Sequence, residues 1–200
     1  MTHRRKTGDV TPREIPSVDL LEEELKREKY RQRYRRALRN TIYTLITVAA
    51  AAVLVATLLL PVLQISGTSM APNLTEGDIV VSMSGKNYKR GDVIAFYFDN
   101  KVLVKRVIAT AGQWVDIDEE GNVFIDGEAI DEPYLTEKSL GQCNIELPYQ
   151  VPESQIFVMG DHRGVSLDSR NTAVGCVSDE QIVGRLIFRV WPIGVFGPVG

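Results

Sequence analysis

Cysteine and histidine each occur only twice in this chain, and no charged residue stands between Arg39 and Glu76. The first shortage excludes an ordinary zinc enzyme, because His162 has no second His or Cys at ligand spacing. Cys143 and Cys176 could pair in an oxidising compartment or remain two small, partly buried thiols, and the sequence leaves both readings open. Basic residues are also scarce in the larger part of the chain. Residues 64–200 carry 11 Lys and Arg against 19 Asp and Glu, whereas residues 1–40 carry 12 against 7. An acidic main domain repels phosphate, so nucleic acid is excluded as a partner. There is no internal repeat, and no long amphipathic helix is evident beyond residue 64.

The missing charge marks what is present instead. Residues 41–63 form an apolar run long enough to cross about 30 Å of hydrocarbon as a helix, with Pro61 placed to end or kink it. Arg31, Arg33, Arg35, Arg36 and Arg39 lie just upstream. By the positive-inside tendency, residues 1–40 form a cytoplasmic charged tail and residues 64–200 an extracytoplasmic domain. A cleaved signal sequence is the rival, with small residues at Ala49 to Ala52. However, the apolar run exceeds the usual core of about 7–15 residues and the charged leader is far too long. A single-pass plasma-membrane anchor in a lipid bilayer is the better reading. Residues 1–18 read as flexible. Asp19 then suits an N-cap with Glu22 three residues on, opening a solvated helix that reaches the anionic head groups.

After Asp78 the pattern changes to short β-rich runs: 79–83, 92–98, 102–110, 114–117, 123–125, 155–159 and 182–190. Asp99-Asn100, Gly121-Asn122 and Asp126-Gly127 supply hairpin turns between them. The expected fold class is mainly β, an antiparallel β catalytic domain on a single N-terminal transmembrane helix.

Two residues carry chemistry. Lys105 sits in a strand that is apolar on both faces. If buried there, it loses solvation, its pKa falls, and the neutral amine can act as a general base. The alternative is an edge lysine whose head group reaches water. Ser69 lies in Ser66-Gly67-Thr68-Ser69-Met70-Ala71-Pro72, where a serine more often makes a turn. Its position at the end of the apolar run makes it a candidate nucleophile at a membrane surface.

Four segments, in order after the apolar run, resemble the type I signal peptidases of the bacterial serine-lysine type. They are Ser69-Met70-Ala71-Pro72, Gly91-Asp92-Val93-Ile94-Ala95-Phe96, Lys105-Arg106-Val107, and Gly160-Asp161-His162-Arg163 with Ser166-Leu167-Asp168-Ser169-Arg170. The likeness covers residues 41–190. It implies a membrane-bound serine endopeptidase that removes signal peptides from secretory preproteins after small residues, with Ala favoured at the first and third positions before the cut. Ser69 is implied as nucleophile and Lys105 as base, with Ser166 orienting Lys105 and an Asp168–Arg170 ion pair supporting the segment. No cofactor is implied. The chain departs from the family pattern in several places. Gly67 stands where one branch has an oxyanion serine, which leaves the backbone N–H of Ser69 as the main oxyanion donor and Ser66 and Thr68 as secondary ones. Asn73 replaces a threonine and is expected to alter a local hydrogen bond. Ala109-Thr110-Ala111-Gly112-Gln113 replaces a more regular turn, and His162 stands where asparagine is usual.

Three other functions are weighed against this one. A Ser-His-Asp arrangement would need His162 with Asp161 or Asp168. Autocleaving repressor-type serine-lysine peptidases share the chemistry but lack a span like residues 41–63. A membrane-anchored binding module would make Ser69, Lys105 and residues 166–170 incidental.

Overall fold

A computed structural model describes residues 17–85 and 87–199, with the side chains of residues 56–59 left aside. The expectation for residues 1–16 lies outside the described residues. The chain divides into two compact units, one ending at Leu54 and one beginning at Val55.

Helix α1 (Val18–Leu59), which begins in the first unit and ends in the second, runs for 42 residues, about 63 Å at 1.5 Å per residue. It is long and apolar enough to cross a membrane. Leu21 donates its N–H to the Ser17 carbonyl at 3.1 Å, so Asp19 falls in the first turn and not at the N-cap. Its charge still faces the positive end of the helix dipole. Within the apolar portion, the Thr44 and Thr47 hydroxyls donate to the carbonyls of Asn40 and Tyr43 at 3.0 and 2.9 Å. Each hydroxyl is thus satisfied inside the helix. The helix stops before Pro61, whose ring disfavours helical backbone at the preceding residue. Val62 and Leu63, expected in the span, instead open the β unit.

The strands are β1 (Val62–Gln64), β2 (Ile79–Met83), β3 (Val93–Phe98), β4 (Lys101–Thr110), β5 (Trp114–Ile117), β6 (Val123–Ile125), β7 (Glu128–Ala129), β8 (Tyr149–Gln150), β9 (Gln155–Met159), β10 (Val177–Ser178), β11 (Ile182–Trp191) and β12 (Gly197–Pro198). All pair antiparallel. The larger sheet has the order β1-β2-β11-β3-β4-β9-β10 with β12 on β11, and the smaller one the order β7-β6-β5-β8. The β3–β4 hairpin turns at Asp99 and Asn100, with φ of 44° and 60°, the left-handed pair that the strand twist favours in a two-residue loop.

Three apolar clusters fill the unit. One joins the small sheet to the β4 and β9 ends around Ile108, Val115 and Phe157. A second gathers Val80, Val93 and Leu186 with Met70 and Leu74 from the loop after β1. The third packs Ile94, Phe96, Val107 and Val158. Burial of Met70 and Leu74 matters for the site, because these two side chains anchor the loop that carries Ser69.

Two of the unpaired backbone edges lie beside Ser69. β1 pairs only with β2. The first half of β4 pairs only with β3, because β9 joins its other edge from Arg106 onward. Residues 63–67, Ser69 and Met70 face residues 102–105 across a cavity of about 100 Å³.

Candidate active site

Lys105 stands at the residue before β4 gains its second neighbour. It is therefore enclosed by the sheet yet open toward the cavity, with only 3% of its surface exposed. Its Nζ lies 2.6 Å from Ser69 Oγ. Burial lowers the ammonium pKa from an ordinary 10.5 to about 8, against the pull of the Asp168 and Asp161 carboxylates, which favour the charged form. The snorkelling alternative for Lys105 is not what the fold adopts.

The Ser69 loop is held from several sides. Ile65 donates to the Asp78 carbonyl at 2.8 Å and Gly77 to the Ile65 carbonyl at 2.9 Å, closing its base. Gly67 has φ of +85°, a left-handed backbone that glycine adopts without the Cβ penalty. After Ser69, the Leu74 N–H reaches the Met70 carbonyl at 2.9 Å, and the His162 N–H reaches the Ser69 carbonyl at 3.0 Å. The Ser69 N–H has no acceptor among the described residues.

Beneath the pair lies the segment from Gly160 to Arg170. The Asp168 carboxylate accepts the Gly160 N–H at 2.9 Å and two guanidinium bonds from Arg170, both at 2.9 Å. Arg170 also donates to the carbonyls of Leu140 and Arg163 at 2.7 and 2.9 Å. Both side chains are fully buried, and a buried pair in which every donor and acceptor is used is the form that tolerates such burial. Ser166 is buried too, but its Oγ has no hydrogen-bond partner among the described residues. The contact from Ser166 to Lys105 is thus not formed in this conformation. Gly160 is required where it stands, since a Cβ there would lie 2.5 Å from the Ser69 carbonyl oxygen and closer still to Ser166 Oγ.

Several site residues were not singled out by the sequence. Arg106, next to Lys105 but on the other face, forks onto Asp161 with two bonds of 2.8 Å. Tyr134 covers its guanidinium, with the ring centroid 4.1 Å away, a cation–π contact. Arg163 pairs with buried Glu132, and the Tyr134 hydroxyl donates to Glu132 at 2.8 Å. Asn73, noted earlier only as a departure, donates to Asp161 Oδ2 and to the Tyr134 carbonyl, each at 2.8 Å. The sequence signals for this cluster were the arginine beside the lysine, Asp161 and Arg163 in the fourth motif, and Asn73 as a departure from the family pattern; Glu132 and Tyr134 gave none.

The site does not assemble a Ser-His-Asp arrangement. The His162 side chain is exposed, and the carboxylates of Asp161 and Asp168 are already taken by Arg106 and Arg170. Cys143 and Cys176 are free thiols, and burial pushes Cys176 up to about 11.

Comparison with known proteins shows the family to which the chain belongs. Residues 38–191 match the family model described as signal peptidase, peptidase S26. The chain is 32% identical over 179 residues to signal peptidase I of Bacillus amyloliquefaciens, covering 84% of this chain and 96% of that one. It is 34% identical over 152 residues to signal peptidase IB of Staphylococcus aureus, covering 66% and 78%. A solved signal peptidase I of Enterococcus faecalis overlays 50% of this chain and 97% of that one at 27% identity, with a TM-score of 0.42. The chain belongs to the signal peptidase family S26, among the bacterial type I enzymes, and is a serine peptidase.

Proposed function

We propose that Ser69 and Lys105 form the catalytic dyad of a membrane-anchored endopeptidase that cuts signal peptides from secretory preproteins after small residues. The observation that carries this reading is the 2.6 Å approach of Lys105 Nζ to Ser69 Oγ in a buried setting that lowers the lysine pKa to about 8. A neutral amine is a competent base near working pH, and a charged one is not.

Ser69 Oγ attacks the scissile carbonyl while Lys105 Nζ takes its proton. The oxyanion develops against the Ser69 N–H, with Gly67 shaping the approach, and the low-dielectric site strengthens that bond. As the tetrahedral intermediate collapses, the ammonium returns a proton to the leaving amine. An acyl ester remains on Ser69. Lys105 then takes a proton from water, whose oxygen attacks the ester, and as the C–Oγ bond breaks the ammonium returns that proton to Ser69 Oγ, releasing the carboxyl product and restoring the pair. Asp168 and Arg170 hold the base's surroundings in place, and Ser166 swings onto Nζ when substrate enters.

The substrate enters as a strand between β1 and the unpaired half of β4, bonding both edges through its main chain. Alternate side chains point into the walls near residues 63–65 and 102–104, where space suits alanine at the first and third positions before the cut. Helix α1 supplies the anchor, with residues 1–40 cytoplasmic and the β unit extracytoplasmic, in the plasma membrane.

The deciding test is cleavage of a synthetic signal peptide by the detergent-solubilised full chain, alongside Ser69→Ala and Lys105→Ala. Activity should rise through about pH 8 and vanish in both variants. Full cleavage by either variant would overturn the dyad.

A further inference from the structure

Asn73 uses both protons of its single amide nitrogen, one on the Asp161 carboxylate and one on the Tyr134 carbonyl, each at 2.8 Å. These acceptors belong to different parts of the chain. Asp161 is locked to Arg106, the neighbour of Lys105 in β4. It also directly precedes His162, whose N–H holds the Ser69 carbonyl. Tyr134 lies over the Arg106 guanidinium. The Asn73 carbonyl meanwhile accepts Arg189 Nη1 at 2.9 Å, so this residue is fixed at its side chain and its main chain alike.

The Ser69 loop is therefore stitched to residues 161–162 at two points, and through Asp161 to the strand that carries the base. We propose that Asn73 is a positioning residue for the peptidase reaction, a carboxamide bridge that sets the Ser69–Lys105 separation by tying the nucleophile loop to the Asp161–Arg106 ion pair. This rests on the serine-lysine reading above. The chemistry needs two donors on one short side chain. Threonine and serine offer one, and an ionised aspartate offers none. Loss of the amide leaves the part-buried Tyr134 carbonyl without that donor and takes one bond from a carboxylate that must balance Arg106.

The test compares Asn73→Ala, Asn73→Thr and Asn73→Asp with the parent and with Ser69→Ala, using the full chain in detergent and a synthetic signal peptide. Asn73→Ala should lose kcat by about 10–100-fold with KM little changed, the signature of misplaced reacting groups. Asn73→Thr should fall between. Asn73→Asp sets two carboxyl groups in contact, which share a proton in acid and repel once both ionise. Its activity relative to the parent should therefore be higher in acid, where the pair shares a proton, and fall to a plateau once both are ionised, which a purely structural defect would not produce. Thermal melting of each variant separates unfolding from misplacement. Where Asn73→Ala does not fold, the pH trend of Asn73→Asp decides. A kcat within about twofold of the parent in folded Asn73→Ala, or a flat pH ratio in Asn73→Asp, would overturn the bridge. Full activity in Ser69→Ala would instead overturn the dyad on which the bridge depends.

Discussion

The backbone N–H of His162 donates to the carbonyl of Ser69 at 3.0 Å, while its imidazole faces outward. The residue that sequence offers as a rival base thus serves through its main chain. It fixes the carbonyl end of Ser69 while Lys105 approaches the hydroxyl.

Lys105→Met should abolish cleavage yet stabilise the fold near neutral pH. Burial depresses the Lys105 pKa from 10.5 to about 8, so the unfolded chain binds more protons between those values. The penalty for burying the lysine is complete below about pH 8 and fades as pH rises toward 10.5. The gain in melting temperature should follow the same course, largest below pH 8 and shrinking above it. A gain that grows with pH would contradict this sign.

Ser166→Ala should separate stability from turnover. Its Oγ is buried without a partner, and such a hydroxyl costs about 1–3 kcal/mol. Removing it should leave denaturant stability equal or higher. If the hydroxyl steadies Lys105 once substrate is bound, kcat should still fall about tenfold or more. Unchanged kcat would remove Ser166 from the machinery.

Asp168→Asn strips Arg170 of its carboxylate inside the protein. Breaking one side of a buried pair costs about 3–5 kcal/mol, and urea unfolding should report a loss of that size. Asp168 also favours the charged form of Lys105. Any folded variant should therefore reach half-maximal activity at lower pH than the parent.

Gly160→Ala should be disproportionately harmful. The added methyl meets the Ser69 carbonyl and the Ser166 hydroxyl, neither of which can retreat without moving the site. Overpacking costs about 1–3 kcal/mol in stability. Turnover at a temperature where the variant is fully folded should fall further than that loss explains.

Much of this fold was legible in the sequence, since strands such as Ile79–Met83, Trp114–Ile117 and Gln155–Met159 announce themselves by β-branched content and turn residues. The short strands were not. Val62–Gln64 is hidden in an apolar run whose composition reads equally well as helix, and Glu128–Ala129 and Tyr149–Gln150 are too brief to show any period. Ser69 and Lys105 stood out through their motifs and come together across 36 positions of sequence. The cluster of Asn73, Arg106, Glu132, Tyr134 and Arg163 was given no role, although Arg106 and Arg163 lie inside those motifs and Asn73 directly follows one. Its members are ordinary polar residues in sequence and acquire meaning only from the burial that pairs them.

The unpaired edges of β1 and β4 have a consequence for the breadth of clientele. Peptide N–H and C=O groups are the same in every chain, so a slot walled by two strand edges reads a feature that all secreted proteins share. Side chains need only avoid collision at the few positions that face the walls. With substrate bound there as proposed above, the enzyme would process many unrelated exports without a consensus word, and its discrimination would be a matter of what it has no room for.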